Sequence, residues 1–235
     1  MIKTHTGIYF GGGGFKTLFY FGIAKFLIEN NNFPKYFEGK SAGGYAAAIA
    51  AALSTIPNED RTFFLDYAIK IFENEIVKKT SNINKNWLKC QEASKQTIII
   101  CKKIQPDIKK YDNILSIYIT HVKTWTLYKK TNWSSWEELE QDLRAGSSIP
   151  FIQDYKLIND SNNKLSIDSC FIKTEKIPDD YIYASCNFNT KADIYPRYNI
   201  PKWYNIIVNP AIVKMQDWYN DAYLSSFIFY NLKNN

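Results

Sequence analysis

Residues 39–44 read Gly-Lys-Ser-Ala-Gly-Gly, and this stretch decides the fold. It places Ser41 between glycines at the spacing G-x-S-x-G. The apolar residues 33–37 come before it, and a run of small residues, 45–53, follows. Strand, tight turn and helix is the order in which this spacing exposes a serine at a sharp turn. Since a helix N-terminus favours developing negative charge, we predict that Ser41 is a nucleophile.

The composition sets the class of protein around this turn. A chain of 235 residues with 46% hydrophobic residues predicts one α/β domain, residues 1–235, with a sizeable core. The net charge of +6 is spread along the chain without a block of like charges. This pattern argues against a nucleic-acid partner and leaves open a mild attraction to anionic membrane surfaces. It does not predict the oligomeric state.

The cysteines and apolar runs predict neither a metal site nor a membrane span. No C-x-x-C pair occurs among the four cysteines, so we expect no disulfide scaffold, no zinc site and no cofactor. The N-terminus shows no signal-peptide pattern, and the longest apolar run, residues 42–53, is too short to cross a bilayer. We expect a cytoplasmic protein for which peripheral contact with membranes stays open.

Hydrophobic periodicity predicts an α/β order of elements on both sides of the turn. Alternating and helical spacings distinguish the strands from the helices. A capping box at residues 135–138 predicts that a helix starts at Trp136. The predicted strands are 7–10, 34–37, 114–120, 125–128, 164–167, 181–186 and 205–208, and the predicted helices are 18–28, 45–53, 61–77, 87–104, 136–145 and 217–232. Within 87–104, a strand at residues 97–100 is the alternative. Strands 114–120 and 125–128 are expected to form a hairpin, residues 78–85 and 146–151 are predicted loops, and most aromatic residues of the last helix are expected in the core.

A serine nucleophile needs a base, and the histidines do not supply one. The α/β-hydrolase order is serine, acid, then histidine, but only His5 and His121 are present and neither fits that order with a convincing acid. We interpret both as structural or surface residues. Asp168, at the end of a predicted strand, is the candidate base, although an aspartate there could equally cap a turn. Its ordinary pKa of about 3.9 makes it a weak base in water, and a dry pocket would make it a better one.

The glycine-rich loop at residues 11–14 supplies candidate oxyanion donors. Bare amides of Gly12, Gly13 and Gly14 can approach a ligand oxygen closely. A dinucleotide motif would need glycine where Thr17 stands, and a P-loop would need glycine where Pro34 stands, so both nucleotide-binding interpretations fail.

Taken together, these motifs resemble the patatin-like phospholipase family. Residues 11–17 are similar to its D-G-G-G-x-[RK]-G block, with Lys16 as the basic residue, and residues 39–43 are similar to its G-x-S-x-G. Residues 145–151 resemble its small-residue segment with a proline, and residues 168–170 resemble its D-G-[GA]. The four blocks occur in the family's order across roughly residues 7–190.

The resemblance implies a three-layer α/β/α sandwich with a mainly parallel central sheet. It also implies a Ser41–Asp168 dyad without histidine, with Gly12, Gly13 and Gly14 as the oxyanion hole. The implied activity is calcium-independent hydrolysis of acyl esters in phospholipids or related lipids through an acyl-serine. Lys16 would then favour anionic head groups or support the loop.

The chain departs from the family's pattern at four positions, which are Gly11, Thr17, Ser169 and Cys170. Ser169 and Cys170 replace glycines beside the candidate base. We interpret Cys170 as a buried small residue rather than an alternative nucleophile. The missing glycines leave open a second hypothesis, a catalytically weak or inactive lipid-binding protein of the same fold.

Overall fold

The computed structural model describes residues 5–77, 90–149, 157–173, 176–187, 191–197 and 212–232, and all structural statements concern these residues. Extended segments form one sheet. The strands are β1 (Gly7–Phe10), β2 (Tyr36–Lys40), β3 (Leu115–His121), β4 (Thr126–Lys130), β5 (Ile158–Asn159), β6 (Leu165–Ile167) and β7 (Tyr181–Ala184).

Helices separate most of these strands. They are α1 (Thr17–Glu29), α2 (Ala42–Ser54), α3 (Asn58–Ile71), α4 (Cys90–Ile104), α5 (Trp136–Ser147) and α6 (Ile212–Leu232). The described part of the chain includes no helix with the length and apolar character needed to cross a bilayer.

The sheet is parallel at its centre and antiparallel at one side. Its strand order is β5-β6-β3-β2-β1-β7, and β4 pairs with β3. The pairs β1–β2, β1–β7 and β2–β3 are parallel, whereas β3–β4, β3–β6 and β5–β6 are antiparallel. The predicted hairpin of residues 114–128 is therefore confirmed.

The two faces of the central strands differ in chemistry. Because partners in register share a face, Ile8 and Phe37 lie on the same face as Leu115. This apolar face belongs to one buried core with α1 and α2. The opposite face is polar and rich in tyrosine, and its residues include Tyr9, Glu38, Lys40, Tyr118, Tyr181 and Tyr183.

The bounds of several elements differ from those predicted from the sequence. Strand β2 runs to Lys40, beyond the predicted end, because Lys40 still pairs with Tyr118. The predicted helix 61–77 is instead α3 followed by a π-helical turn, Phe72–Val77. Strand β5 was not predicted. The predicted strand 205–208 and loop 78–85 lie outside the described residues, as do Pro150 and Phe151 of the predicted loop 146–151.

The C-terminal helix packs mainly on α1. Gly22 permits this, since a Cβ there would lie 2.2 Å from the Tyr219 carbonyl oxygen. Trp218, Phe229 and Tyr230 are buried, whereas Phe227 is exposed. The prediction that most of the helix's aromatic residues belong to the core agrees with this burial.

Candidate active site

Ser41 occupies a strained turn between β2 and α2. Its φ of 52° and ψ of −131° are unusual for a residue with a side chain. The flanking glycines let the turn close. A Cβ on Gly39 would lie 2.3 Å from the Gly43 carbonyl oxygen, and a Cβ on Gly43 would lie 2.3 Å from that of Phe10. The G-x-S-x-G spacing therefore has a steric cause here, because strand, turn and helix backbones touch at both glycines.

The hydroxyl of Ser41 meets the carboxylate of Asp168. Ser41 Oγ donates to Asp168 Oδ2 over 2.6 Å, which is within the range of O–H···O hydrogen bonds. The second carboxylate oxygen accepts from the Cys170 amide over 2.6 Å. Asp168 follows β6, which runs antiparallel to β3, so it reaches the site from the direction opposite to that of Ser41. Asp168 follows a strand, as predicted, and the antiparallel register brings it level with the turn.

The surroundings of Asp168 favour proton uptake. Burial raises the pKa of its carboxyl above the ordinary value, against the opposing hydrogen bonds from Ser41 and Cys170. Burial lowers the pKa of the neighbouring Lys40 ammonium, which donates to the carbonyl of Ile172. A carboxylate that is desolvated and hydrogen-bonded to a serine hydroxyl can accept that hydroxyl's proton.

Ser169 connects the turn to the rest of the site. Its buried Oγ accepts from the Ser41 amide over 2.8 Å and donates to the Gly146 carbonyl over 3.0 Å. Gly146 lies in α5, in one of the motif segments. The departure from glycine at position 169 thus adds two hydrogen bonds beside Ser41, which sequence reasoning did not anticipate.

The glycine-rich loop lies against Ser41. A Cβ on Gly12 would be 3.2 Å from Ser41 Cβ and 2.1 Å from Cys170 Sγ, and Gly14 has a φ of 55°. Within the described residues, the amides of Gly12 and Gly13 donate to no acceptor. Backbone donors beside a serine hydroxyl are the groups that an oxyanion requires.

Side chains behind the loop hold its carbonyls. Asn187 Nδ2 and Cys186 Sγ both donate to the Gly12 carbonyl over 3.3 Å. Tyr20 donates its hydroxyl to the Gly11 carbonyl over 2.6 Å. Lys16 is 1% exposed and donates to Asn187 Oδ1 over 2.8 Å, and burial lowers the pKa of its ammonium. This geometry favours loop support over contact with a head group as the role of Lys16.

Cys170 differs from its prediction. It is exposed rather than buried, because it lies in the short 3₁₀ turn Ser169–Phe171 beside a surface cavity. Although part of the residue is exposed, its sulfur packs towards Gly12. Desolvation of the sulfur is the larger cause, and the nearby Asp168 carboxylate the smaller one, of a raised pKa of the thiol. A thiol with a raised pKa is a poor nucleophile at neutral pH.

Neither histidine faces Ser41 or Asp168. His121 Nε2 lies 2.8 Å from Asp160 Oδ2, and both side chains are buried. His5 is also buried and packs on Phe229 and Tyr230. In the described part of the chain, no group of three or more His, Cys, Asp or Glu side chains is arranged to hold a metal ion.

Comparison with known proteins shows similarity in structure only. No protein-family model matches the sequence, and no curated protein is similar to it at a significant level. The crystal structure of VipD from Legionella pneumophila superposes with a TM-score of 0.52 at 11% identity, covering 97% of this chain and 67% of VipD. The ExoU chain of the ExoU–SpcU complex, from the type III secretion system of Pseudomonas aeruginosa, gives a TM-score of 0.45 at 13% identity, covering 97% and 52% of the two chains.

The likeness to VipD agrees with the fold expected from the motifs. It extends over nearly the whole of this chain. The sheet is mostly parallel with antiparallel strands at one side, as described above. The chain therefore has the patatin-like α/β fold.

Proposed function

We propose that the protein is a serine acyl hydrolase that acts on phospholipids or related acyl lipids. The hydrogen bond of 2.6 Å between Ser41 Oγ and Asp168 Oδ2, at a strained turn in a patatin-like fold, is the observation that carries this proposal. The raised pKa of Asp168 and the unused amides of the adjacent glycine loop support it.

The proposed reaction proceeds in two stages through an acyl-serine. Ser41 Oγ attacks the ester carbonyl carbon while Asp168 accepts the hydroxyl proton. The amides of Gly12, Gly13 and Gly14 hold the oxyanion. The bond to the leaving oxygen then breaks, and Asp168 returns the proton to that oxygen. In the second stage Asp168 takes a proton from water, whose oxygen attacks the acyl-serine, and the fatty acid leaves as Ser41 regains its proton.

Labelling with a fluorophosphonate tests the nucleophile separately from lipid binding. Wild-type protein should be labelled covalently, Ser41→Ala should not be labelled, and Asp168→Asn should be labelled at least about 10²-fold more slowly, as expected for loss of a general base. Release of fatty acid from phospholipid vesicles should follow the same order and persist in excess EGTA, since the proposed chemistry uses no calcium.

The alternative of a lipid-binding protein without catalysis gives a different result. Folded wild-type protein would then bind vesicles without being labelled and without releasing fatty acid. That outcome would indicate that the replacement of glycines by Ser169 and Cys170 abolishes catalysis while lipid binding is retained.

A further inference from the structure

The turn between β3 and β4 projects from the sheet edge at which Ser41 lies. Strands β2 and β3 are parallel, and Lys40, directly before Ser41, pairs with Tyr118. Strand β3 continues for three more residues, to His121, which carries it about 10 Å past that level at roughly 3.3 Å per residue. The turn, residues 122–125, therefore lies beyond Ser41 at the carboxyl edge of the sheet.

The turn between β5 and β6 lies beside the first one. Because β6 pairs antiparallel with the end of β3, its first residue, Leu165, reaches the level of Val122, whose amide donates to the Leu165 carbonyl over 2.9 Å. Residues of both turns line one hollow of about 740 Å³. We call the surface that residues 122–128 and 160–165 form the turn surface.

Hydrogen bonds hold the turn surface in one shape. His121 Nε2 lies 2.8 Å from Asp160 Oδ2, and this contact ties β3 to the second turn. The other carboxylate oxygen of Asp160 accepts from the amides of Asn162 and Lys164 over 3.0 and 2.9 Å. A surface that is ordered before binding loses little conformational entropy when it docks.

Trp125 lies at the tip of the first turn in a backbone conformation that its side chain does not favour. Its φ of 50° lies in the left-handed region, where glycine and asparagine are the usual residues and a bulky side chain is strained. Burial does not explain the tryptophan, since it is 57% exposed. Neither the turn nor the core requires an indole at this position, which indicates a contact outside the molecule.

The neighbours of Trp125 are residue types that a membrane interface favours. Tyr128 and Leu165 are exposed, and Lys164 Nζ lies 5.8 Å from the centre of the Tyr128 ring. Lys123 is exposed and lines the same hollow. Tryptophan and tyrosine rings, which are apolar at one end and polar at the other, settle at the head-group level of a bilayer. Lysines extend their ammonium groups to the lipid phosphates.

The sequence around both turns suits an anionic bilayer. Between Asn113 and Ser134 the chain contains three lysines and neither aspartate nor glutamate. The segment between Asp160 and Asp168 likewise contains a lysine and no acidic residue. Basic segments close to an anionic membrane surface are attracted to it, and each lysine contributes about fivefold in affinity.

We propose that the turn surface docks on an anionic phospholipid bilayer, with Trp125 inserted at the head-group level and Lys123 and Lys164 facing lipid phosphates. The inference rests on the proposed function, which supplies a bilayer as the source of substrate. Since the turn surface lies at the same edge of the sheet as Ser41, docking holds this edge towards the membrane.

Vesicle sedimentation of the Ser41→Ala protein measures docking without turnover. Vesicles that mix phosphatidylglycerol with phosphatidylcholine should bind it more tightly than vesicles of phosphatidylcholine alone. On this background Trp125→Asn should weaken binding about fivefold to tenfold, as expected when a half-exposed aromatic side chain loses its burial. Lys123→Gln should weaken it about fivefold. Urea unfolding should find Trp125→Asn at least as stable as its parent, because asparagine tolerates the positive φ, so weaker binding does not reflect unfolding.

Brominated lipids measure penetration separately from charge attraction. Vesicles with dibrominated acyl chains should quench the tryptophan fluorescence of the Ser41→Ala protein. Trp125→Phe keeps an aromatic ring at the tip and should still bind, but it should lose most of this quenching. Undiminished quenching in Trp125→Phe would contradict insertion of the indole.

Two matched controls separate the turn surface from the rest of the molecule. Phe63→Asn on α3 removes an aromatic ring that is 70% exposed, and Lys103→Gln on α4 removes one exposed positive charge. Both should leave vesicle binding unchanged. Equal effects of the control and turn-surface substitutions, or unchanged binding of Trp125→Asn, would overturn the proposal.

Failure of the reaction itself shows in a separate measurement. Fluorophosphonate labels the serine in solution without vesicles, so the wild type reports on the nucleophile alone. In a protein that keeps Ser41, Trp125→Asn should be labelled at the wild-type rate but should release fatty acid from anionic vesicles more slowly.

Discussion

The protonation state of Asp168 is the residue-level property on which the proposed reaction depends. Its carboxylate must be ionised to accept the Ser41 proton, and burial raises its pKa. The rate should therefore fall as the pH drops through this raised pKa, which lies above the ordinary aspartate value of about 3.9. A pH profile of fluorophosphonate labelling should show its acid limb above that value.

A histidine could produce a similar acid limb, because its ordinary pKa is about 6.5. His121→Gln removes the imidazole while the amide can still donate to Asp160. The labelling profile of this variant should coincide with that of the wild type. An acid limb that moves in His121→Gln would contradict the assignment of Asp168 as the base.

Ser169 is expected to position Ser41 through its two hydrogen bonds. Ser169→Ala leaves the half-buried Ser41 amide and the buried Gly146 carbonyl without their partner, at a cost of about 1–3 kcal/mol in the free energy of unfolding. Labelling of Ser41 should slow by about tenfold or more, since small misplacements of reacting groups are costly. Urea unfolding and labelling rates on the same preparation measure both effects.

Ser226→Ala on α6 is the matched control for this substitution. Ser226 is also fully buried, and its hydroxyl donates to the Ala222 carbonyl over 2.8 Å. It should alter stability without changing the labelling rate of Ser41. If both variants are labelled at the wild-type rate, Ser169 has a structural role only.

At the scale of elements, the packing of β1 against the start of α2 constrains the two adjacent glycines differently. A Cβ on Gly43 would meet the Phe10 and Gly11 carbonyl oxygens at 2.3 and 2.4 Å, and both are backbone atoms. A Cβ on Gly44 would lie 3.4 Å from the side-chain tips of Ile117 and Leu143. Gly43→Ala should therefore destabilise by about 2–3 kcal/mol or more. Gly44→Ala should be neutral or up to about 1 kcal/mol more stable, because alanine favours the helix.

Urea unfolding of the two variants measures this difference at adjacent positions in one helix. Comparable stabilities would mean that β1 and α2 do not approach as closely as described. The comparison also tests why G-x-S-x-G ends in glycine here, since only the residue that touches the β1 backbone should be sensitive.

Elements with strong local signals could be predicted from sequence. The cap of α5 is one example, because Ser135 accepts from the Glu138 amide as the capping box predicts. The Glu138 carboxylate accepts from the Ser134 amide, whereas a standard capping box would have it accept from the Ser135 amide. The two-residue strand β5 had no such signal, since its pairing with β6 is tertiary. The predicted end of β2 was too early, because Gly39 indicates a turn from the sequence alone. Gly39 instead lies within the strand, where the close approach of the α2 backbone at Gly43 leaves no room for a side chain.

For the whole molecule, the order of the four motifs was enough to predict the fold and the proximity of Ser41 to Asp168. It could not reveal the groups that surround them, because these come from distant parts of the chain. The Asn187 side chain holds the glycine loop across 175 residues of sequence. The Cys186 amide donates across 166 residues to the hydroxyl of Tyr20, which itself donates to the Gly11 carbonyl.

The buried carboxylate of Asp168 also affects the stability of the whole molecule. Its pKa in the folded state is raised above that of the unfolded chain, so the folded state binds the proton more tightly. The wild type should therefore lose stability as the pH rises from the unfolded value of about 3.9 through the raised one, and the penalty is fully present above that range. Asp168→Asn, which carries no charge to desolvate, should be more stable than the wild type at neutral pH. This advantage should shrink as the pH falls towards 4.

Urea unfolding of both proteins at several pH values checks the trend. An Asp168→Asn protein that is less stable than the wild type at neutral pH would show that the hydrogen bonds from Ser41 and Cys170 outweigh the cost of burying the charge.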